Sequence, residues 1–383
     1  MNVRELSEKY ELPVYPKRGL VIVRGEGARV WDEQGREYID CIGGIGVANL
    51  GHANPRVCEA IAHQARELIS CPGTIDNPQR ARLGQRLAEI APGGLTRSFL
   101  CNSGTEAVEA AIKFARLTTG RPGFVCAARG FHGRTLGALS ATHKDEYRDA
   151  FKPLVPGFSH VPFNSTEKLA EAIDDTTAGV ILEVVQGEGG VHVATSEFLH
   201  TARRLCDERG ALLIIDEVQT GFCRTGRMFA CQHFDLRPDI LCLAKGMAGG
   251  LPMGAVLCSD RVAPAIGRHG STCGGNPLCC AAALAAIDEL TERHLDQRAE
   301  HLGRLWLGHL RSAKLGAVRE VRGLGLIVGI ELKQKAKPVL EALQANGVLA
   351  LPAGTTVVRL LPPLVISEED IQTVTARLIT VLR

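Results

Sequence analysis

The sequence has almost no net charge: 44 lysines and arginines stand against 42 aspartates and glutamates. There is therefore little field to attract nucleic acid or an anionic membrane. No apolar run reaches membrane-spanning length, and residues 1–18, which are charged and hold two prolines, lack the apolar stretch of a secretory signal. C-x-x-C, H-E-x-x-H and a G-x-G-x-x-G after an apolar strand are all missing, which removes the usual signatures of thiol-redox, zinc and dinucleotide sites. The 13 cysteines are scattered between Cys41 and Cys280 and read as small buried hydrophobes in a reducing compartment. The expectation is a cytoplasmic protein with a small-molecule ligand and no metal, nucleic-acid or membrane partner.

What is present is enough for a large core, since 383 residues at 45% hydrophobic suggest about two domains. Apolar strand-like runs alternate with helical periodicity through the middle, the pattern of an α/β fold with a mostly parallel sheet. Runs 179–185, 211–215 and 239–244 have the length of buried strands. Polar groups follow each at once: Gln186 and Glu188, then Asp216 to Gln219, then Lys245. Ligands of open α/β sheets gather beyond the carboxyl ends of strands, so these groups are expected to share one crevice. From about residue 281 the pattern changes to a helical segment through Leu310, a strand region at 321–332, a helix, and a last helix after Ser367. That predicts a smaller α+β domain, formed by 1–49 and 276–383, beside a larger one over 50–275.

Several segments carry chemistry. Ser103 and Glu106 have capping-box spacing ahead of Val108, Ala111, Ile112 and Ala115, which recur at helical spacing. A helix start offers free N–H groups and a positive dipole end to a phosphate, and Gly104 permits close approach. Asp216 ends an apolar strand, where a carboxylate either faces solvent or pairs with a cation such as a pyridinium nitrogen. Lys245 lies between an apolar strand and a glycine-rich turn; it is an ordinary surface cation unless desolvation lowers its pKa and frees the amine for a Schiff base. Phe131 is core or a stacking ring. Arg134 and Arg359 are surface charges or forks for carboxylates.

Taken in order, the motifs resemble the class III aminotransferases. They are Asn102-Ser103-Gly104-Thr105-Glu106-Ala107, Phe131-His132-Gly133-Arg134-Thr135-Leu136-Gly137, Gln186-Gly187-Glu188-Gly189-Gly190-Val191, Asp216-Glu217-Val218-Gln219-Thr220-Gly221, Leu243-Ala244-Lys245-Gly246, His269-Gly270-Ser271-Thr272 and Gly274-Gly275-Asn276-Pro277. Gly46-Val47-Ala48-Asn49-Leu50-Gly51-His52, Arg322-Gly323-Leu324-Gly325 and Arg359-Leu360-Leu361-Pro362-Pro363-Leu364 are similar to the acetylornithine branch. The opening Val23-Arg24-Gly25-Glu26-Gly27 resembles members acting on lysine held by the carrier protein LysW. Val184, where proline is usual, and Cys223, where glycine is usual, depart from the pattern.

The resemblance implies fold type I, the aspartate aminotransferase-like architecture, with pyridoxal 5'-phosphate as cofactor. It implies that Lys245 is the Schiff-base lysine, that Asp216 pairs with the ring nitrogen, and that Phe131 stacks on the ring. Ser103, Gly104 and Thr105 would hold the phosphate, joined by Thr272 from the other subunit of a homodimer. Glu217, Val218 and Gln219 would complete the cofactor site. Arg134, Ser271 and Arg359 would meet substrate, and Glu188 would mask Arg359 when an amine enters. The implied reaction moves a terminal amine from an N-acylated ornithine or LysW-bound lysine to 2-oxoglutarate. An ornithine or γ-aminobutyrate aminotransferase of the same class is the alternative.

Overall fold

A seven-stranded sheet organises the larger part of the molecule: β1 (Leu95–Cys101), β2 (Gly123–Ala127), β3 (Phe158–Val161), β4 (Thr177–Leu182), β5 (Leu212–Asp216), β6 (Ile240–Leu243) and β7 (Gly254–Ser259). The computed structural model describes residues 2–383. The strand order is β1-β7-β6-β5-β4-β2-β3, and only β7 runs against the others. The three apolar runs picked out by length become neighbours in this sheet. Every residue of β4, β5 and β6 is buried, as a strand covered on both faces requires.

Helix α1 (Gly104–Thr119) follows β1, and α2 (Ser196–Arg209) crosses from β4 to β5. Both stop at a glycine in the left-handed region, Gly120 at φ 68° and Gly210 at φ 67°, where a residue without Cβ turns the chain at least cost. Ser103 caps α1 by accepting the Glu106 N–H at 3.3 Å. Glu106 reaches back one residue further than a capping box would, to the Asn102 N–H at 3.0 Å.

The predicted helix through Leu310 is two helices, α3 (Pro277–Glu292) and α4 (Leu295–Ser312). His294 breaks them at φ 51°, a left-handed position that neither glycine nor proline marks in the sequence. Helix α3 packs on the helices Pro55–Glu67 and Pro78–Ile90. Beyond α4, β8 (Val318–Leu324), β9 (Ile327–Leu332), β10 (Leu351–Ala353) and β11 (Val357–Leu360) form an antiparallel sheet in the order β8-β9-β11-β10. The strands Ile22–Glu26, Arg29–Asp32 and Glu37–Asp40 make another sheet, completed by Val348–Leu349 from the other end of the chain. Among the described residues no helix is long and apolar enough to cross a membrane.

One arginine ties these parts together. Arg224 is fully buried with no acid on it; it donates to the carbonyls of Leu326 (3.0 Å) and Pro362 (2.5 Å) and to Asn49 Oδ1 (2.6 Å). Burial pulls its guanidinium down to about 9. Arg224→Ala strips three buried acceptors of a charged donor, so unfolding free energy should fall by about 3 kcal/mol or more, measured by denaturant titration. A loss under about 1 kcal/mol would mean that water replaces the side chain.

Cys223 has a physical cost that explains why glycine is usual there. Its φ is 69°, in the left-handed region, and its side chain is fully buried. Val184, the other departure, is also fully buried, with its carbonyl accepting the Ala194 N–H at 2.9 Å.

Candidate active site

The carboxyl ends of β4, β5 and β6 and the start of α1 open on one cavity of about 600 Å³. Its walls hold Ser103, Gly104, Thr105, Phe131, Arg134, Glu188, Asp216, Val218, Gln219 and Lys245. These come from five separate stretches of chain that only the sheet brings together. The topology thus realises the expected crevice, except that Gln186 lies outside its walls and donates Nε2 to the Ala128 carbonyl at 2.8 Å.

Lys245 begins a short 3₁₀ turn just after β6, at φ 43°. A left-handed non-glycine residue in a functional cleft is strained by roughly 1–3 kcal/mol. Its half-buried Nζ donates to Gln219 Oε1 at 3.0 Å. Burial and then the Arg359 charge hold the ammonium below its ordinary range, against Glu188, Asp216 and Glu183, which pull the other way. The free-amine form is correspondingly easier to reach.

Asp216, the last residue of β5, accepts the Val218 N–H at 3.0 Å through Oδ1 and the His132 Nδ1–H at 2.8 Å through Oδ2. Both bonds fix a carboxylate at the cavity wall. The side chain of Val218 lies against Gly104, where an added Cβ would come within 2.6 Å of it. Gln219 Nε2 is buried without a hydrogen-bond partner. Such a donor in a cavity wall marks a place for an acceptor on a ligand.

One end of the cavity is built from α1. Its first-turn N–H groups have no partner within the helix, and Ser103 and Thr105 flank them with hydroxyls. Gly133 is at φ 137°, and a Cβ there would fall 2.3 Å from Thr105 Oγ1. Gly133→Ala must therefore displace Thr105, and cofactor affinity measured by dialysis should fall about tenfold or more. Unchanged affinity would remove Thr105 from the expected phosphate cradle.

Arg134 lies over the Tyr147 ring at 3.9 Å from its centroid, with Phe131 5.5 Å away. Arg359, carried by β11, is only 2% exposed; its Nη2 donates to Glu188 Oε1 at 2.6 Å, while Nε and Nη1 have no partner. A carboxylate can take up a fork with spare donors.

Three expected residues lie elsewhere. Glu217 is turned into the core, where its carboxylate accepts N–H groups of Ala230 (2.8 Å) and Cys231 (2.7 Å) and the Thr220 hydroxyl (2.8 Å). The cause is strand alternation, which points successive residues to opposite faces. Ser271 accepts from Asn102 Nδ2 at 3.2 Å and from the Gly274 N–H at 3.0 Å. Exposed Thr272 lines a separate outward-facing depression with Arg80, Ser98 and Phe99.

Two buried wall residues escaped sequence reasoning. His132 backs Asp216 from within the motif after β2, and Glu183 follows β4. A lone carboxylate inside the apolar run 179–185 was the available signal for Glu183. Tyr15, which also lines the cavity, gave none.

The cavity suits a planar cofactor bearing a phosphate at one end and a basic nitrogen at the other, and comparison with known proteins agrees. The family model for class III aminotransferases (Aminotransferase class-III) matches residues 14–382. The chain belongs to the class III aminotransferases. It is 49% identical to an acetylornithine aminotransferase of Methanopyrus kandleri, over 100% of this chain and 99% of that one. It is 50% identical to a [LysW]-aminoadipate semialdehyde transaminase of Deinococcus radiodurans, over 97% of this chain and 87% of the relative. Its fold matches an ornithine aminotransferase from Toxoplasma gondii, solved with partial occupancy of PLP at its active site, with TM-score 0.95 and 35% identity, covering 99% of this chain and 93% of that one. The fold is therefore type I, and this class III aminotransferase is a pyridoxal-phosphate enzyme.

Proposed function

We propose that this aminotransferase takes the terminal amino group of a substrate whose α-amine is blocked, an N-acylated ornithine or a LysW-bound lysine, and passes it to 2-oxoglutarate. The observation that carries the reading is the Glu188–Arg359 pair. One cavity must accept a terminal amine and afterwards a dicarboxylate, and a paired arginine serves both. With Glu188 in place the wall is neutral and admits an uncharged chain. Nη2 belongs to both two-point edges of the guanidinium fork, so an arriving carboxylate competes with Glu188 for it. The names of the similar proteins from Methanopyrus kandleri and Deinococcus radiodurans support the same substrate class.

Bound pyridoxal phosphate supplies an electron sink for the carbon that loses its proton. Ser103, Gly104 and Thr105 would hold its phosphate at the head of α1, Asp216 would pair with the ring nitrogen, Phe131 would stack on the ring, and Gln219 would offer Nε2 to the ring hydroxyl. Lys245 would be the lysine that holds the cofactor, and its Nζ would carry a proton between substrate and cofactor, a role its lowered pKa favours. Arg134 offers a second cation for a substrate carboxylate. Thr272, facing outward, reaches the phosphate of a partner subunit in a homodimer, which accounts for its distance from this chain's own cavity.

The test is the absorption spectrum of the cofactor-loaded protein mixed with N-acetylornithine in the absence of 2-oxoglutarate. Loss of the visible band of the lysine-bound cofactor establishes the acylated-ornithine half-reaction. A band that ignores N-acetylornithine yet responds to lysine on its carrier assigns the enzyme to the carrier-bound substrate. A response to free ornithine or γ-aminobutyrate alone overturns the reading.

A further inference from the structure

Glu188 stands at the tip of a short hairpin whose arms, Val185–Gln186 and His192–Val193, pair antiparallel. The Val191 N–H closes the turn on the Gln186 carbonyl at 2.8 Å. This hairpin sits on the sheet that carries Arg359. Across that sheet Arg322 of β8 is opposite Gly329 of β9, and Gly329 is opposite Arg359 of β11. Directly opposed residues project from one face of a sheet, so two arginines flank a glycine in a single row.

The hairpin fills the saddle between them. A Cβ on Gly329 would fall 2.8 Å from Val191 Cβ and 3.3 Å from the Gly190 carbonyl oxygen, and its three nearest atoms all belong to the hairpin. On one side Arg322, 7% exposed, donates its Nε–H to that same carbonyl at 2.8 Å. On the other side Arg359 Nη2 donates to Glu188 Oε1 at 2.6 Å. The two arginines are committed differently. Nη1 of Arg322 also meets Glu320 Oε2 and Glu331 Oε2 at 2.6 Å each, so its charge is matched and it does not draw Glu188 away from Arg359. Arg359 keeps Nε and Nη1 without a partner.

We propose that Arg322 and Gly329 are positioning residues that seat the Glu188 hairpin on the sheet, so that Arg359 is covered and uncovered by rotation of the Glu188 side chain over a fixed backbone. The inference rests on the exchange of partners at Arg359 described above and adds what sets its balance. Val191 at φ 60° lies in the left-handed region, which a β-branched residue keeps only under the constraint of its packing. That packing is the saddle, since Val191 is fully buried against Gly329. A seated tip holds the carboxylate at a high effective concentration beside Arg359, and a loosened tip dilutes it. Arg359 is then uncovered more of the time, which favours a dicarboxylate and disfavours a terminal amine on an uncharged chain.

Two variants loosen the tip by different routes. Arg322→Lys keeps a positive charge for Glu320 and Glu331 but lacks the fork that reaches Gly190 at the same time. Gly329→Ala leaves every charge in place and forces Val191 outward. The holoenzyme is titrated with succinate, an unreactive dicarboxylate, through the cofactor's visible band, and its half-reactions with glutamate and with N-acetylornithine are timed separately; carrier-bound lysine takes the place of N-acetylornithine if the parent accepts only that donor. In both variants the succinate dissociation constant should fall about three- to tenfold, and the ratio of the glutamate rate to the terminal-amine rate should rise about tenfold. Adding Val191→Gly to Gly329→Ala removes the colliding side chain, suits φ 60°, and should bring the ratio back toward the parent's. A folded variant that keeps the parent's ratio overturns the proposal, even when both rates fall together or the protein is less stable to heat, as a merely structural role requires. A ratio that moves toward the terminal amine overturns it as well. Glu188→Ala is the control. If it leaves the ratio unchanged, the exchange of partners fails and the proposal with it. If it raises the ratio while Arg322→Lys and Gly329→Ala do not, the proposal alone fails.

Discussion

Lys245→Ala should lower transamination by at least about 10⁴-fold while leaving the cofactor bound. The first half of that expectation comes from proton transfer. A positioned acid–base group contributes about 10²–10⁴-fold, and in the proposed mechanism this residue is also the amine that the substrate must displace. No other amine is placed to substitute, because Lys245 is the only lysine among the described residues that lines the cavity. The second half comes from the separation of parts in the cavity. The phosphate cradle on α1 and the carboxylate on β5 stand on elements that Lys245 does not support. Single-turnover kinetics with N-acetylornithine would measure the loss, and dialysis would show that the cofactor stays. A small primary amine added to the variant should recover part of the rate. Turnover within tenfold of the parent would show that another group does the chemistry.

Much of this was legible in the chain because three physical signals coincided. Runs too short for helices and mostly apolar marked β4, β5 and β6, and each was followed at once by polar residues. The capping serine marked the start of α1. Once those strands were placed, the rule that ligands gather at strand carboxyl ends put Lys245 and Asp216 in one crevice, and the structure adds the head of α1 to it.

What was not legible depended on side-chain direction or on contacts between distant segments. Glu217 is adjacent to Asp216 in sequence and is expected from the resemblance to line the cofactor site; alternation along the strand sends it to the opposite face, where three donors hold it. The break at His294 has no turn residue to announce it, since a histidine in the left-handed region is set by packing. His132 and Glu183 are ordinary residues until the sheet brings β2, β4 and β5 side by side, and Arg224 gains its three acceptors only when residues 49, 326 and 362 converge on it.

Arg359→Ala should cost the 2-oxoglutarate half-reaction roughly two to four orders of magnitude. Removing one member of a buried charge pair costs about 3–5 kcal/mol, and each 1.36 kcal/mol is about tenfold in rate. Here the pair is Arg359 with Glu188 at 2.6 Å, and the arginine is 2% exposed. Its replacement removes the fork proposed to bind the acceptor and leaves Glu188 facing the cavity unpaired, which repels a dicarboxylate further. The charge also acts on Lys245, whose ammonium it helps to hold down after burial. Without Arg359 that pKa rises, so the acidic limb of the rate profile should move to higher pH. Glu188→Ala separates the two roles. It leaves the fork in place and uncovered, so the glutamate half-reaction should be little changed while the terminal-amine half-reaction slows, because a bare guanidinium now faces an aliphatic chain. Equal losses in both half-reactions would eliminate the exchange of partners at Arg359, and an unaltered 2-oxoglutarate rate in Arg359→Ala would take the arginine out of the site.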